Sequence, residues 1–257
     1  MKRLNLIIPM VTLVLVLSAV SCRGKVAPAP NVDATVATAV ATRTASDVQE
    51  KVAATLSAPT PTTAPPTPTT ESASTVKKIL DKVIPLSVNH YNKGVDYSED
   101  GQYENAIQEY TKAIQLDPDY ALAYNNRGIE HAKLGQYQTA ITDFDKAIQL
   151  DPGLALFYYN RGKAYGYLAQ YQNAINDYTM AIQLDPDNAQ AYYNRGWSYD
   201  ELGEYQTAIN DYTMAIQLDP DYADAYNNRG ISYAHLGQHT LADADWAKAC
   251  SLDSKHC

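Results

Sequence analysis

AYYNRGWSYDELGEYQTAINDYTMAIQLDPD, residues 191–221, is the stretch that decides the fold, because nearly the same stretch recurs on both sides of it. Its opening AYYNRG is repeated with small changes at residues 123, 157 and 225, and more weakly at residue 89. The closing QLDP ends, at the same interval of 34 residues, at Pro118, Pro152, Pro186 and Pro220. A fixed period of this length indicates a stacked array of similar units.

Each copy contains two amphipathic helical patterns. Over residues 191–202, apolar and small residues fall three and four positions apart, which predicts one stripe of a helix. Gly203 then predicts a left-handed C-terminal stop. A second stripe covers residues 205–218, and we expect Asp219 to cap the helix that follows, with Pro220 in its first turn. The unit is therefore an antiparallel helical hairpin.

Small residues recur in phase on both stripes and indicate how the two helices pack. The first helix carries Gly94, Gly128, Gly162, Gly196 and Gly230, and the second carries Ala106, Ala140, Ala174, Ala208 and Ala242. A bulky aromatic residue follows each alanine, at Tyr110, Phe144, Tyr178, Tyr212 and Trp246. Small side chains allow close helix approach, and the aromatic rings fill the space beside them. One hairpin cannot bury both of its faces, so neighbouring hairpins must stack.

These residues resemble the signature of tetratricopeptide repeats, in which glycine, alanine, an aromatic residue and proline recur in the same order. The resemblance implies an all-α fold, an α-solenoid of five tetratricopeptide hairpins over residues 87–120, 121–154, 155–188, 189–222 and 223–257. It also implies that the first helices line a concave groove for a protein or peptide partner. In this interpretation the chain is not an enzyme and needs no cofactor.

One asparagine per repeat precedes the recurrent arginine or lysine, at Asn92, Asn126, Asn160, Asn194 and Asn228. Amide groups match the donors and acceptors of an extended peptide, and the resemblance implies that such a ladder holds the backbone of a ligand. The alternative is that these amides bond between neighbouring helices. By the family's geometry Tyr159, Tyr193 and Trp197 also reach the groove as peptide-binding residues. Trp197 stands out because the two preceding repeats carry Ile129 and Lys163 there.

The recurrent basic residue has an acidic counterpart in the second helix of its own repeat. Antiparallel helices that turn near Gly203 would bring Arg195 opposite Asp211, and the same spacing places Lys93 opposite Glu109. Arginine and a carboxylate form strong two-pronged hydrogen bonds. We therefore predict structural pairs within each repeat rather than an anion-binding site.

The N-terminus has the pattern of an export signal. A charged start and an apolar run end at Cys22, and residues 1–22 resemble a bacterial lipoprotein signal, which would make Cys22 the lipidated membrane anchor. Two alternatives stay open, cleavage of an ordinary signal peptide and an uncleaved membrane anchor. Each of the three predicts an exported protein, and the first and third attach it to a membrane.

Two further segments precede the repeats. Residues 23–74 are rich in Ala, Thr and Pro, a composition that cannot form a core and predicts a disordered tether. Residues 75–86 carry apolar residues at helical spacing before Pro85, which predicts a short helix covering the first repeat. A helix that binds a partner is the alternative.

The formal net charge of −9 and the isoelectric point near 4.9 argue against nucleic acid as a partner, because phosphates repel an acidic surface. A basic partner fits the overall charge better. The chain shows no catalytic constellation, and Gly237 separates His235 from His239, so we expect no metal site.

The last repeat differs from the others. Asp243 replaces the isoleucine found at the equivalent position of the other repeats, as a solvent-facing terminal repeat requires. Cys250 and Cys257 are close enough in sequence to form a disulfide in an oxidising compartment, or to remain free. We expect a monomer, with a dimer through a residual apolar edge as the alternative. Self-association or bracing of an envelope complex is the second functional hypothesis.

Overall fold

The computed structural model describes residues 86–257. The predicted signal at residues 1–22 with Cys22, the predicted tether at 23–74 and all but the last residue of the helix predicted at 75–86 lie outside this part. The described part is a succession of ten α-helices and a terminal 3₁₀ turn, and it contains no strand. Within residues 86–257, no helix combines the length and the apolar character needed to cross a bilayer.

The helices alternate between first and second members of the five predicted hairpins. The first helices are α1 (residues 86–99), α3 (Ala121–Lys133), α5 (Ala155–Tyr167), α7 (Ala189–Glu201) and α9 (Ala223–His235). The second helices are α2 (Tyr103–Leu116), α4 (Tyr137–Leu150), α6 (Tyr171–Leu184), α8 (Tyr205–Leu218) and α10 (His239–Leu252), followed by η1 (Ser254–His256). Each first helix from α3 onward packs on the second helix of its own repeat and of the preceding one. The predicted solenoid of hairpins is confirmed.

The turn inside each hairpin depends on a residue in the left-handed conformation. Four turns use glycine with φ between +72° and +79°, at Gly101, Gly135, Gly203 and Gly237. These four glycines have the stop conformation predicted for Gly203. In the third repeat the position belongs to Ala169, which has φ +55°. The left-handed conformation is strained for alanine because its Cβ crowds the backbone, whereas glycine has no Cβ and is not strained.

The prediction for the turn between repeats is wrong. Asp219 ends α8 instead of capping α9: its N–H donates to the carbonyl of Ala215 at 2.8 Å. Its carboxylate accepts from the N–H of Asp221 at 3.1 Å, so that side chain is engaged within the turn. Pro220 lies before α9, whose N-cap residue is Tyr222. The Asp-Pro pair closes one hairpin and does not start the next.

Close packing inside each hairpin explains the recurrent glycine of the first helix. A Cβ added at Gly196 would lie 3.0 Å from the ring of Tyr212, and one at Gly94 would lie 2.6 Å from Tyr110. Real Cβ atoms essentially never approach as closely as at Gly94 and seldom as closely as at Gly196, so glycine allows the two helices to pack at this distance. The facing alanines are fully buried, as are the rings of the first four repeats, whereas Trp246 in the terminal repeat is half-buried.

The contacts between successive repeats indicate that the layer of first helices is the inner one. From the second repeat onward, α3, α5, α7 and α9 contact one another in succession, whereas contacts between successive second helices are fewer. In a curved stack the inner layer has the shorter spacing, and its surface is concave. We call this surface the first-helix face.

The terminal repeat is adapted to the end of the array. Asp243 is exposed, whereas Ile209, its equivalent in the fourth repeat, is buried. Cys250 is joined to Cys257 by a disulfide, one of the two outcomes left open above. This holds η1 against α9, where Lys255 lies 3.1 Å from the carboxylate of Asp224.

Candidate peptide-binding groove

The asparagine ladder crosses every boundary between repeats. From the second repeat onward, each asparagine donates its side-chain N–H to the residue 35 positions earlier, on the preceding first helix. The four bonds run from Asn126 to Tyr91 at 3.0 Å, from Asn160 to Asn125 at 2.9 Å, from Asn194 to Tyr159 at 3.2 Å and from Asn228 to Tyr193 at 3.0 Å. Bonding between neighbouring helices, which the sequence left as an alternative, is what these amides do.

These bonds limit what the ladder can offer a ligand. Asn160, Asn194 and Asn228 are only 8%, 9% and 4% exposed. Asn126 is half-buried, and Asn92, in the first repeat, is exposed. Contact between these amides and a peptide stays a prediction, restricted to the groups that the ladder leaves free.

The two tyrosines predicted to bind a peptide are part of the packing instead. Tyr159 and Tyr193 are 1% and 2% exposed, so their rings do not reach a ligand, and the prediction is wrong for them. Helical spacing shows that the two tyrosines share one side of their helices. It does not show that this side packs against the next repeat. The Tyr159 hydroxyl accepts from Asn194 and donates to Gln190 at 3.1 Å, and burial raises the pKa of this tyrosine, which keeps the hydroxyl neutral.

The predicted arginine–aspartate pairs are confirmed. Arg195 donates from Nε and Nη2 to the two carboxylate oxygens of Asp211, both at 2.8 Å. Its remaining Nη1 reaches Thr179 in the preceding repeat at 3.1 Å, and its guanidinium lies over the ring of Tyr192. The same bidentate pair recurs at Arg127–Asp143, Arg161–Asp177 and Arg229–Asp245. Each arginine therefore binds a repeat to its predecessor.

The first repeat replaces this pair with a cluster around Glu109. His90 Nδ1 lies 2.6 Å, Lys112 Nζ 2.8 Å and Lys93 Nζ 3.4 Å from its carboxylate. Burial would raise the pKa of Glu109, but the hydrogen bonds from Lys112, His90 and Lys93 outweigh it and lower the pKa to about 2. The predicted pairing of Lys93 with Glu109 is confirmed.

The first-helix face carries one surface row with a side chain from each repeat. Its members are Val95, Ile129, Lys163, Trp197 and Ile231, and all five are half-buried. They follow one another at intervals of 34 residues, so they lie at the same register of successive first helices. Each member of the row therefore keeps part of its side chain accessible to a ligand.

Trp197 lies within this row but is tightly packed. A Cβ on Gly166 would lie 3.2 Å from Cζ3 of Trp197, and the indole meets the ring of Tyr171 edge-on at 5.5 Å. Its Nε1–H is buried and finds no acceptor among residues 86–257. The absence of a side chain at Gly166 therefore makes room for the only tryptophan of the row.

A ladder of stacked rings along one edge of the repeats was missed by sequence reasoning. The first residue of a second helix meets the last residues of the next first helix: Tyr137 stacks on Tyr167 at 4.7 Å and Tyr205 on His235 at 4.4 Å. The 34-residue recurrence of these tyrosines was a signal that could have indicated it. No group of three or more possible metal ligands occurs within the described part.

Family models match along the repeats. Tetratricopeptide repeat models cover residues 94–135, three consecutive copies at 121–154, 155–188 and 189–222, and residues 212–244. The chain belongs to the tetratricopeptide repeat family. Its fold is that of a protein-interaction scaffold.

Several solved structures share this fold. A crystal structure of MamA is 29% identical, covers 66% of this chain and 93% of its own, and has a TM-score of 0.61. MamA from Desulfovibrio magneticus RS-1 is 24% identical, with coverages of 66% and 96% and a TM-score of 0.62. YrrB, described as a tetratricopeptide repeat protein with an unusual peptide-binding site, is 24% identical, with coverages of 70% and 93% and a TM-score of 0.60. Comparison with curated proteins finds no match.

Proposed function

We propose that the repeats bind an extended segment of a partner protein along the first-helix face, without catalysis. The observation that carries this proposal is the half-buried row of Val95, Ile129, Lys163, Trp197 and Ile231. Apolar side chains that stay partly open at regular intervals along a concave surface are suited to alternate side chains of an extended chain. The likeness to YrrB shows the fold alone and does not carry the proposal.

The bonds beneath the row support this function. The ladder from Asn194 to Tyr159 and the pair between Arg195 and Asp211 fix the spacing of successive first helices. A surface that is held in place before the ligand arrives loses little conformational entropy on binding. The buried polar network therefore serves as the support of the binding surface rather than as the surface itself.

Photocrosslinking tests where a partner lies. A benzophenone amino acid placed at Ile129 or Ile231 is expected to crosslink a partner in cells. The same residue placed at Met180, which is exposed on the second helix α6, is expected not to. Crosslinks from position 180 alone would assign binding to the opposite side of the repeats. Ile129→Glu should abolish capture of the crosslinked partner while leaving the helical circular dichroism unchanged, since Ile129 is half-buried.

We also propose that the repeats act outside the cytoplasm, tethered to a membrane by lipidated Cys22. The support is the sequence pattern of residues 1–22 and the composition of residues 23–74. Metabolic labelling with a radioactive fatty acid should mark the wild-type protein and not Cys22→Ala. An unlabelled protein of reduced mass would indicate an ordinary cleaved signal peptide, and an unlabelled protein of full-length mass would indicate an uncleaved anchor. Label that persists in Cys22→Ala would contradict lipidation at Cys22.

Self-association is the second candidate function, favoured by the exposure of Leu241 on α10 at the end of the array. The exposed Asp243 beside it and the pinned η1 turn oppose it, because a stacking face must be apolar. Sedimentation at increasing concentration separates the two functions. A constant monomer mass supports peptide binding, whereas a mass that rises with concentration and falls in Leu241→Glu supports assembly.

A further inference from the structure

Lys163 is the one charged member of the surface row on the first-helix face, and its charge is not neutralised. Its ammonium lies 5.7 Å from the centre of the Tyr159 ring, and among residues 86–257 it has neither a hydrogen bond nor an ion pair. The other half-buried cations of the repeats have partners: Arg161 and Arg195 each pair with an aspartate, and the Lys146 ammonium donates to Gln149 at 3.3 Å. Burial lowers the pKa of Lys163, as expected for an ammonium that has no compensating partner.

The neighbouring repeat contributes the indole of Trp197 beside the same turn of α5. Gly166 lies three residues after Lys163, one turn along the same face of α5, and Trp197 of α7 packs directly on Gly166. The buried Nε1–H of Trp197 has no acceptor within the described residues. The indole atom beside Gly166 is Cζ3 and not Nε1, so the patch consists of an ammonium without an acceptor and the apolar edge of the indole.

We infer that Lys163 and Trp197 form a subsite for the carboxylate of an aspartate or glutamate side chain in the bound segment, and this rests on the proposed function. The ammonium meets the carboxylate, and the exposed part of the indole packs against the stem of that residue or the next. The tryptophan ring supplies apolar contact to the bound residue, and the lysine supplies one positive charge that pairs with its carboxylate. The subsite fixes the register of the bound segment, because the rest of the row is apolar.

The charges around the patch restrict the ligand to a singly charged acid. Asp200 and Glu201 follow Trp197 on α7, where they accept hydrogen bonds from Ser232 at 2.7 Å and from the Tyr171 hydroxyl at 3.2 Å. These two carboxylates disfavour a second negative group near the end of α7. The net charge of −9 repels polyanions, but beyond a Debye length of about 8 Å exposed charges are screened, whereas a half-buried lysine is screened less.

Degenerate peptide libraries test the subsite directly. Full-length protein in detergent is passed over N-acetylated, C-amidated nonapeptides whose central residue is fixed as Glu, Gln, phosphoserine or Lys. We expect retention on the Glu library to exceed that on the Gln library about fivefold. Lys163→Met should remove this preference, and Lys163→Glu should favour the Lys library. Lys146→Met, which changes a lysine on α4 whose ammonium bonds Gln149, is the matched control and should behave as wild type.

The possible failures are distinguishable. Equal retention on the Glu and Gln libraries, or a Glu preference that survives Lys163→Met, would overturn the carboxylate subsite and leave peptide binding in place. Stronger retention on the phosphoserine library would replace the carboxylate with a phosphoryl group and overturn the inference. Absence of retention on every library would overturn the proposed function and the subsite with it. Folding does not confound the result, since Lys163→Met removes an uncompensated charge and should leave the melting temperature unchanged or raised.

Discussion

The side-chain N–H of Asn194 donates to the hydroxyl of Tyr159, across the boundary between the third and fourth repeats, at 3.2 Å. Both side chains are almost fully buried. The bond therefore links two hairpins at a place that water does not reach, and it ties the stability of the array to the register between them.

Removing the acceptor of this bond should weaken that boundary. Tyr159→Phe leaves the ring in place but deprives Asn194 and Gln190 of their partner, and we expect the free energy of unfolding to fall by about 1–2 kcal/mol. Urea denaturation measures the change. Tyr137→Phe, which keeps the stacked ring on Tyr167 and loses no hydrogen bond described here, should change stability by less than about 0.5 kcal/mol. Equal effects of the two variants would show that the buried bond contributes nothing.

Removing the arginine of a pair should lower the free energy of unfolding more than replacing both partners by apolar residues. Arg195→Met leaves Asp211 buried without its partner and should destabilise the protein by about 3 kcal/mol or more. Arg195→Met combined with Asp211→Leu should recover much of this loss, because no uncompensated charge remains. Thermal unfolding of the single and double variants checks both statements. A single variant as stable as wild type would mean that the pair contributes to neither folding nor the spacing of repeats.

Replacing Ala169 by glycine should stabilise the protein. Ala169→Gly relieves an alanine held at φ +55° and should raise the free energy of unfolding by about 1 kcal/mol. Gly135→Ala makes the reverse change in the second repeat, where a Cβ would meet no atom within 4 Å, and should lower it by a similar amount. Chemical denaturation of both variants gives the two values. If Ala169→Gly were destabilising, backbone strain would not be the factor that decides this turn.

The Glu109 cluster should make the free energy of unfolding depend on pH in the acidic range. The pKa of its carboxyl is lowered from 4.5 to about 2 in the folded protein, so its contribution is complete above pH 4.5 and is lost as the pH falls toward 2. The raised pKa values of Asp177 and Asp200 act in the opposite sense, but they are common to the wild type and Glu109→Gln. The difference in unfolding free energy between these two proteins should therefore shrink on acidification below pH 4.5. A constant difference from pH 7 to pH 3 would contradict the assignment.

The hairpins, their turns and the arginine pairs could be predicted because each depends on spacing within one repeat. Gly203 and the pair of Arg195 with Asp211 are examples: both follow from a single hairpin. The orientation of a stripe toward the next repeat could not be predicted, since helical periodicity gives the side of a helix but not what covers it. Tyr159 was for this reason assigned to a ligand although it packs against the next repeat.

The remaining errors and omissions have equally local causes. Asp219 was assigned to the wrong helix because an aspartate before proline fits both a helix end and a helix start, and only the bond of its own N–H to Ala215 decides. Ala169 stands in the sequence where other repeats have glycine, a signal that was available and not used. The lack of an ion pair at Lys163 depends on the side chains that surround it in the folded protein. The spacing of residues in the sequence does not reveal these neighbours.

The ladder of asparagine bonds has a consequence for the ancestry of the chain. Asn160 donates to an asparagine of the preceding repeat, whereas Asn194 donates to a tyrosine. The asparagine amide can therefore bond to either kind of neighbour. An in-frame duplication of residues 155–188 would therefore find its partner atom already present at the one new joint, where the second copy of Asn160 faces Tyr159 of the first. Such a gene can grow or shrink by unequal recombination, one hairpin at a time, without any contact having to evolve anew.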